Sequence, residues 1–376
     1  MSTPSTGLPR GPEPGWNDWL ARAHLDLWLT VFVLTLGTLG LCVLYSASGH
    51  SSDMLFGQAQ RFVLGLLVMA AFAQIPPELY RALAPWFYGF ALLLLVFVLL
   101  LGDTSKGAQR WLDLGLLRFQ PSELMKLAMP LAIAAFLHAR TLPPRIPTVL
   151  CTLGMIAVPT ALIAVQPDLG TAILVVCAGV FALYFGGWGW RWIAALAGSV
   201  AAAAPVAWAY LHDYQRQRVL TFLDPESDPL GAGYHITQSK IAIGSGGLFG
   251  KGWMNGTQAH LEFLPESHTD FIFAVFAEEL GLFGVLLLLV LYLAISGRGL
   301  IIALRGQDTF QRLLAGSLAL TFFLYLFINM GMVLGLLPVV GVPLPLISFG
   351  GTSMVSLMAG FGMLMSIHTH RKLISN

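Results

Sequence analysis

Four charged motifs hold the residues of this sequence that could carry out chemistry, and each of them borders a long apolar run. The motifs are Gln120-Pro-Ser-Glu123-Leu-Met-Lys126, Gln166-Pro-Asp168-Leu-Gly-Thr171, Glu266-Ser-His268-Thr-Asp270 and the adjacent pair Glu278-Glu279. An ionisable group at membrane depth costs about 2.5–3.5 kcal/mol on insertion scales, so such a group is usually paired or functional. The four motifs are therefore the first candidates for a buried site.

Asp270 is the candidate general base. It stands where a long polar segment enters an apolar run, so its carboxylate is expected to be partly desolvated. A carboxylate in that setting suits the removal of a proton from a substrate. The same position also suits a helix N-cap, supplied either by Asp270 or by Thr269. Both interpretations stay open from position alone.

The other three motifs each have a structural and a functional interpretation. Glu123 and Lys126 are three residues apart, so they are expected to pair on one face of a helix that Ser122 could cap. That pair would either orient the helix or serve a site. Asp168 would either cap a helix after a turn or serve a site. The adjacent carboxylates Glu278 and Glu279 point to different faces, so at least one needs a partner inside the bundle.

Nine basic residues lie on the same side of the predicted membrane as these motifs. Several of them flank polar and aromatic residues, which indicates an anionic ligand, with phosphate the favoured one. The alternative is that translocated loops tolerate some positive charge. The nine are Arg61, Lys106, Arg110, Arg118, Lys126, Arg216, Arg218, Lys240 and Lys251.

The composition shows which kind of element must position these residues. Of 376 residues, 56% are hydrophobic and 10% are charged, against roughly 25% charged in soluble domains. This excludes an ordinary soluble protein, a disordered protein and a nucleic-acid binder, which needs a basic face. Apolar runs near the roughly 20 residues of a membrane-spanning helix predict an all-α polytopic membrane protein with ten spans. The spans are Leu25–Ser46, Gln58–Ile75, Ala84–Leu101, Ser122–Leu137, Thr148–Val165, Leu169–Gly186, Trp192–Tyr210, Phe271–Ile295, Arg312–Leu336 and Thr352–Ile367.

The distribution of charge predicts the orientation. The side with both termini holds eleven of the 20 Lys and Arg residues and five of the 19 acidic residues, so it is the cytoplasmic side. We expect a cytoplasmic tail at 1–24, one membrane domain at 25–368 and a second tail at 369–376. The loop 211–270 lies outside. Its glycine-rich run 244–252 lacks the spacing of a phosphate-binding loop and predicts a turn with close backbone contact.

Four motifs in this order resemble the SEDS family (shape, elongation, division and sporulation). They are Lys106-Gly-Ala-Gln-Arg110-Trp with Gln120-Pro-Ser-Glu123, Gln166-Pro-Asp168-Leu-Gly-Thr171, Phe263-Leu-Pro-Glu-Ser-His-Thr-Asp270 through Glu279-Leu-Gly, and Pro343-Leu-Pro-Leu-Ile-Ser348-Phe-Gly350-Gly351-Thr-Ser353. The resemblance implies a ten-span peptidoglycan glycosyltransferase of the bacterial inner membrane that polymerises lipid II on the periplasmic side. Chain length, Ala277 and Gly341-Val-Pro343 are more similar to members that act in rod-shape elongation than to those of the division septum.

The resemblance also implies residue roles. The essential aspartate of the family falls on Asp270, and its important outer residues fall on Arg110, Arg118, Glu123, Lys126 and Asp168. The resemblance implies an inverting displacement with a diphosphate leaving group, in which cations can replace the acid that a glycosidase needs. We expect Asp270 to act as base, Glu123 to position Lys126, and the substrate diphosphate to meet cations. The expected substrate-binding residues are Arg110, Arg118, Glu123, Lys126, Asp168, Arg216, Arg218, Lys240 and Ser348.

The resemblance implies a class B penicillin-binding protein as partner, besides lipid II and membrane lipids. No cofactor is evident, and a divalent cation that assists the diphosphate stays an open alternative. Two other function classes also remain open. Ten spans and buried charges would suit a lipid II flippase, although the polar motifs gather on the outer side. A non-catalytic scaffold for the penicillin-binding protein would tolerate substitution of Asp270.

Overall fold

The computed structural model describes residues 23–105, 108–113, 118–210, 213–224, 228, 231–260 and 266–371. Within these ranges the chain forms thirteen helices and three short strands. The first half contains α1 Leu27–Ala47, α2 Ser52–Ala73, α3 Pro77–Leu101, β1 Asp103–Ser105, β2 Ala108–Asp113, β3 Arg118–Phe119, α4 Pro121–His138, α5 Ile146–Val165 and α6 Leu169–Phe185. The second half contains α7 Trp190–Tyr210, α8 Asp213–Leu223, α9 Ala232–Gly246, α10 Thr257–His260, α11 Ile272–Leu304, α12 Thr309–Val333 and α13 Thr352–Thr369.

A helix occupies each of the ten segments that the sequence predicts as spans. Six of these helices in the described ranges are long and apolar enough to cross a membrane: α1, α2, α3, α5, α11 and α12. Large apolar side chains on the outer helices are exposed, among them Trp86 on α3 at 78%. Burial of such surface in lipid removes it from water, so the chain is a multi-pass membrane protein.

The centre of the bundle is formed by α4, α12, α13 and the first two turns of α11. In α4 nearly every residue from Pro121 to Leu137 is buried, and α12 packs against α4, α6, α11 and α13. These helices are apolar on all sides, which is the pattern expected for helices enclosed by others. Four charged residues of these helices, Glu123, Lys126, Glu278 and Glu279, are consequently buried.

A small antiparallel sheet follows α3 and carries one candidate residue, Arg110. Its order is β1-β2-β3, with Asp103 opposite Trp111 and Leu112 opposite Phe119. Because β2 contacts both α3 and α4, it holds Arg110 over the start of α4. Lys106 lies outside the described residues.

Helix α11 is broken at Gly281, whose φ is +65° and ψ is −166°. The segment 247–252 fills the break. The N–H groups of Lys251 and Gly252 donate to the carbonyls of Glu278 and Glu279 at 3.0 Å, and the N–H of Leu282 donates to the carbonyl of Gly247 at 3.0 Å. These bonds satisfy backbone groups that the helix itself leaves unpaired.

The close approach at this break explains the glycines of the 244–252 run. A Cβ on Gly250 would stand 2.1 Å from the carbonyl oxygen of Glu279, and one on Gly246 would stand 2.2 Å from that of Ala277. Neither position therefore has room for a side chain. The sequence prediction of a turn with close backbone contact is confirmed.

Candidate active site

A polar cavity of about 240 Å³ lies among β2, the first turns of α4, α6 and α13, the middle of α12 and the segment before α13. Its walls combine charged side chains with glycine-rich backbone. The lining residues include Arg110, Trp111, Gln120, Glu123, Lys126, Asp168, Thr171, Tyr325, Gly341, Val342, Pro343, Gly350, Gly351, Thr352 and Ser353. Four residues that the sequence singled out, Arg110, Glu123, Lys126 and Asp168, therefore line one cavity.

The Glu123–Lys126 pair forms one wall. Nζ of Lys126 lies 2.7 Å from Oε1 of Glu123, and both side chains are about 6–7% exposed. The hydroxyl of Ser356 donates to the other oxygen of Glu123 at 2.7 Å, and Nζ lies 5.0 Å above the Tyr325 ring. The predicted i,i+3 pairing is confirmed. Burial keeps the pair unscreened by water, and the cavity lets a ligand approach the ammonium.

The predicted cap by Ser122 is wrong. Gln120 precedes the first helical residue, Pro121, and α4 has no side-chain cap hydrogen bond. Proline at the first position removes one of the N–H groups that would otherwise need a partner. The side chain of Gln120 instead donates to Oδ2 of Asp168 at 2.9 Å.

Arg110 and Asp168 form a second wall. The N–H of Thr171 donates to Oδ1 of Asp168 at 3.3 Å, so Asp168 caps α6 as one of the two sequence interpretations predicts. Arg110 donates to the carbonyl of Pro167, and its Nη1 lies 4.0 Å from Oδ1 of Asp168. Asp168 is thus a cap and a cavity-lining carboxylate at once. The contacts of Arg110 with Pro167 and Asp168 fix its side chain at the cavity wall.

Asp270 lies beside the same cavity. Its Oδ2 is 3.4 Å from the position that a Cβ on Gly341 would take, and Gly341 lines the cavity. The side-chain amide of Asn329 donates to the carbonyls of Asp270 and Val342 at 3.0 and 2.8 Å. One buried amide therefore ties the backbone of the aspartate to the cavity wall.

The N-cap of helix α11 that the sequence suggested, from Asp270 or Thr269, is not found. Its N-cap position is Phe271, and no side chain caps it, so neither Asp270 nor Thr269 has that role. The Thr269 hydroxyl donates to Glu266 instead, at 2.7 Å from Oε2.

Ser348 holds the loop that carries the cavity wall. Its hydroxyl donates to the carbonyl of Thr269 at 2.7 Å and accepts from the N–H of Leu344 at 2.7 Å. The N–H of Phe349 donates to the carbonyl of His268 at 2.9 Å. Ser348 is 4% exposed and is not among the residues that line the cavity. Its geometry supports a role in fixing Asp270 against the 341–351 segment.

The remaining predicted binding residues lie elsewhere or cannot be placed. Arg216 donates to the carbonyls of Trp208 and Ala209 at the end of α7, at 3.1 and 3.0 Å. Lys240 packs over Gly335 after α12. Neither of them lines the cavity. The side chains of Arg118 and Arg218 lie outside the described part of the chain. Substrate binding by these four residues stays a prediction.

Sequence reasoning missed three side chains that complete the site: Asn329, Tyr325 and Ser356. Asn329 is a polar residue inside the apolar helix α12 and is fully buried, a combination that marks a structural or functional site. That signal was available in the sequence. Tyr325 and Ser356 carry no such signal, because tyrosine and serine are common in membrane helices.

Among the described residues, no group of three or more His, Cys, Asp or Glu side chains is placed to hold a metal ion. The carboxylates of the cavity, Glu123 and Asp168, are engaged by Lys126 and Arg110 respectively. What the arrangement offers chemically is two cations fixed beside a cavity and a carboxylate at its edge.

The sequence profile of the FtsW, RodA and SpoVE cell cycle proteins matches residues 26–373. The chain is 56% identical to the peptidoglycan glycosyltransferase MrdB of Escherichia coli (strain K12), over 96% of this chain and 98% of that protein. It is 38% identical to the probable peptidoglycan glycosyltransferase FtsW of Thioalkalivibrio sulfidiphilus, over 92% of this chain and 90% of that protein.

Solved structures show the same fold. A chain from a structure described as "Structural coordination of polymerization and crosslinking by a peptidoglycan synthase complex" superposes with a TM-score of 0.81 at 32% identity, covering 92% of this chain and 99% of that chain. The rod shape determining protein RodA of Thermus thermophilus superposes with a TM-score of 0.71 at 31% identity, covering 92% of this chain and 98% of that chain.

Proposed function

The chain belongs to the FtsW, RodA and SpoVE family of cell cycle proteins, and from that membership we infer that it is a peptidoglycan glycosyltransferase. Its identity to the E. coli glycosyltransferase MrdB is 56%, against 38% to the T. sulfidiphilus FtsW. It therefore acts as the RodA-type polymerase of rod-shape elongation, joining lipid II into β-1,4 glycan strands. The observation that carries the mechanism is one cavity with Asp270 at its edge and Lys126 and Arg110 in its walls.

In the proposed step, the acceptor 4-hydroxyl oxygen attacks C1 of the donor sugar as the C1–oxygen bond to the diphosphate breaks. The carboxylate of Asp270 takes the hydroxyl proton, and the undecaprenyl diphosphate leaves with the bonding electron pair. A well-placed general base contributes about 10²–10⁴-fold to a rate. The tie from Asn329 to the Asp270 backbone supports this role, because a base must be held within reach of its proton.

Lys126 and Arg110 stabilise the charge that develops on the leaving diphosphate. Both groups are held by other residues, Lys126 by Glu123 and Arg110 by Pro167, so they need little reorganisation during the reaction. The cavity of about 240 Å³ is smaller than typical ligand pockets of roughly 300–1,000 Å³. It suits the diphosphate and an adjoining sugar, with the rest of the substrate outside.

An apolar groove on the bundle surface suits a lipid chain. It has a volume of about 390 Å³ and lies between α3 and the helices α2, α4 and α13. Trp86 and Phe90 on its border are 78% and 52% exposed, so the groove is at the outside of the bundle. Membrane lipid or the substrate tail would bury this apolar surface.

The topology and location follow from the same proposal. The chain is placed in the bacterial inner membrane with ten spans and both termini in the cytoplasm. The loop 211–270 and the cavity then face the periplasm, where lipid II is polymerised. The proposed organisation is one membrane domain at 25–368 with cytoplasmic tails at 1–24 and 369–376. A class B penicillin-binding protein is the partner, which the peptidoglycan synthase complex among the structural neighbours supports.

The deciding experiment is polymerisation of lipid II by the purified chain, with and without its penicillin-binding protein. Asp270→Asn should reduce the polymerisation rate at least about 100-fold while the protein still folds. Asp53→Asn is the matched control, because Asp53 is an exposed acid in the first turn of α2. Wild-type rates in Asp270→Asn would contradict the assignment and favour a scaffold.

The flippase alternative is tested with labelled lipid II in vesicles that contain the chain. A flippase would move the labelled lipid II across the bilayer without forming polymer. The glycosyltransferase proposal predicts polymer in the same vesicles. Adding a chelator such as EDTA to the assay tests the open question of a divalent cation, and a rate that falls and is restored by Mg²⁺ would place one beside the diphosphate.

A further inference from the structure

A third cation, Arg61, stands beside the cavity and has no part in the reaction described above. Its guanidinium stacks on the ring of Phe349, with Cζ 4.5 Å from the ring centroid. Its Nε lies 3.5 Å from the position that a Cβ on Gly351 would take. Gly350 and Gly351 line the cavity and have no side chains, so backbone alone separates the guanidinium from the cavity there.

Two donor atoms at this wall are buried without a hydrogen bond in the described part of the chain. They are Nη1 of Arg61 and Oγ of Ser353, and Ser353 itself lines the cavity. Leaving a buried donor unsatisfied costs about 1–3 kcal/mol, and more for a charged group. The Phe349 ring holds the guanidinium in place, and a guanidinium presents its N–H donors in one fixed plane. An anion is the ligand that satisfies both donors.

The charge of the cavity gives a second reason for an additional cation. The four charged side chains that line it are Arg110, Lys126, Glu123 and Asp168, so their formal charges cancel. A lipid-linked diphosphate carries one negative charge on each phosphate. The four lining side chains therefore leave the bound diphosphate with no net positive charge to offset it, whereas Arg61 supplies one positive charge at the same wall.

We propose that Arg61 and Ser353 form a phosphate-binding subsite for the diphosphate of the lipid-linked substrate. This inference rests on the proposed glycosyltransferase function and extends it to residues on α2 and α13. Arg61 makes a charge-assisted contact, and Ser353 donates its hydroxyl. The packing of α2 against α13 brings Arg61 to the same wall as Ser353.

The test is the affinity of the purified full chain in lipid nanodiscs for undecaprenyl diphosphate, together with KM and kcat for lipid II. Arg61→Gln should weaken binding and raise KM by about tenfold to a hundredfold, with kcat much less affected. Arg61→Lys should recover part of the affinity, because it keeps the charge and loses the planar fork. Ser353→Ala should weaken binding about threefold to tenfold.

Arg140→Gln is the matched control. Arg140 also stacks on a phenylalanine, Phe136, with Cζ 3.5 Å from the ring centroid, and it lies at the other end of α4 from the cavity. The same loss of charge and stacking there should leave the affinity and KM unchanged. An equal loss of affinity in Arg140→Gln would overturn the proposal, since the effect would then be a general one of net charge.

The outcomes separate this inference from the function on which it rests. Wild-type binding that Arg61→Gln and Ser353→Ala leave unchanged overturns the subsite, even if the chain polymerises lipid II. A fall in kcat and unfolding temperature with unchanged KM also overturns it, because Arg61 would then only brace Phe349. A wild-type chain that binds undecaprenyl diphosphate through Arg61 but makes no polymer supports the subsite and contradicts the glycosyltransferase function.

If Arg61→Gln fails to fold, the affinities of Ser353→Ala and Arg61→Lys for undecaprenyl diphosphate test the subsite instead. Unchanged affinity in both variants overturns the proposal, and weaker affinity in either supports it.

Discussion

In the described part of the chain, two glutamate–lysine pairs with buried glutamates are built in opposite ways. Glu123 and Lys126 are 2.7 Å apart within one turn of α4 and line the polar cavity. Glu278 and Lys251 are 2.6 Å apart and come from the broken helix α11 and the segment that fills its break. The first pair joins neighbours in sequence and faces the polar cavity. The second joins distant segments and faces none of the described cavities.

The difference lies in how fully each carboxylate is engaged. Glu278 is fully buried, and its oxygens accept from Lys251 and from the N–H groups of Thr257 and Gln258 at 2.6–3.2 Å. Glu123 accepts from Lys126 and Ser356 alone among the described hydrogen bonds. Glu278, whose oxygens accept several hydrogen bonds, holds the neighbouring backbone in place. Glu123 has fewer partners and lies beside a cavity, so its partner Lys126 can also bind a ligand.

The largest effect should come from neutralising the cavity pair. Replacing both members, Glu123→Gln with Lys126→Met, should reduce lipid II polymerisation about 100- to 1,000-fold, because the charge on the leaving diphosphate loses a fixed donor. The unfolding temperature should change by only a few degrees, since replacing a whole buried pair is often neutral. Polymerisation rates and thermal unfolding in detergent measure both. Substantial activity in a folded double variant would remove the pair from the mechanism.

The next effect concerns the break beside the other pair. Gly281→Ala places a Cβ 2.3 Å from the backbone nitrogen of Gly250, in a φ and ψ region that is essentially closed to other residues. We expect a loss of about 3 kcal/mol of stability. Gly57→Ala is the control, because that helical glycine has nothing within 4 Å of an added Cβ, and it should change stability by about 1 kcal/mol or less. Equal unfolding temperatures for the two variants would mean that the break is not needed for the fold.

Neutralising the pair of Glu278 and Lys251 should lower stability and leave activity nearly unchanged, the reverse of the result expected for Glu123 and Lys126. Glu278→Gln should lower stability by about 2–3 kcal/mol, because the N–H groups of Thr257 and Gln258 lose a charged acceptor. Adding Lys251→Met should not restore it, since those two N–H groups still lack the carboxylate. The kcat of the folded fraction should stay within about threefold of wild type. A large loss of kcat at unchanged stability would place Glu278 in the catalytic site and erase the contrast.

The smallest effect should come from the buried amide that ties Asp270 to the cavity wall. Asn329→Ala removes the amide that holds the backbone of Asp270 to that of Val342, and we expect about a tenfold lower kcat with KM nearly unchanged. Asn255→Ala, at an exposed asparagine, is the control. A change in KM alone would show that Asn329 shapes the binding wall rather than the position of the base.

Local pattern was enough to predict part of the candidate site. The Glu123–Lys126 pair follows from three-residue spacing on a helix, and the Asp168 cap follows from an aspartate after a turn. The glycine-rich run was correctly expected to make close backbone contact. The caps at Ser122 and at Asp270 or Thr269 were wrong, because Pro121 and Phe271 set where those helices begin.

Arg216 and Lys240 show where pattern fails. They share the charge and the predicted membrane side of Arg110, yet Arg216 contacts the end of α7 and Lys240 packs over Gly335. Arg61 shows the converse, since only the packing of α2 against the start of α13 brings it to the cavity. Charge and sidedness are properties of the sequence, whereas the partner of a long side chain depends on which helices become neighbours.

The sequence by itself determined the helices, their apolar faces and the family, because hydrophobic runs and local motifs depend on residues close together in the chain. Tertiary structure alone decided that Asp270 meets the cavity, that Gly281 breaks α11 and that the two glutamate–lysine pairs face different surroundings. The physical reason is that these features rest on contacts between segments far apart in the chain, such as the 3.0 Å bond from Asn329 to Asp270 and the approach of Asp270 to Gly341. Such contacts form only when the bundle packs.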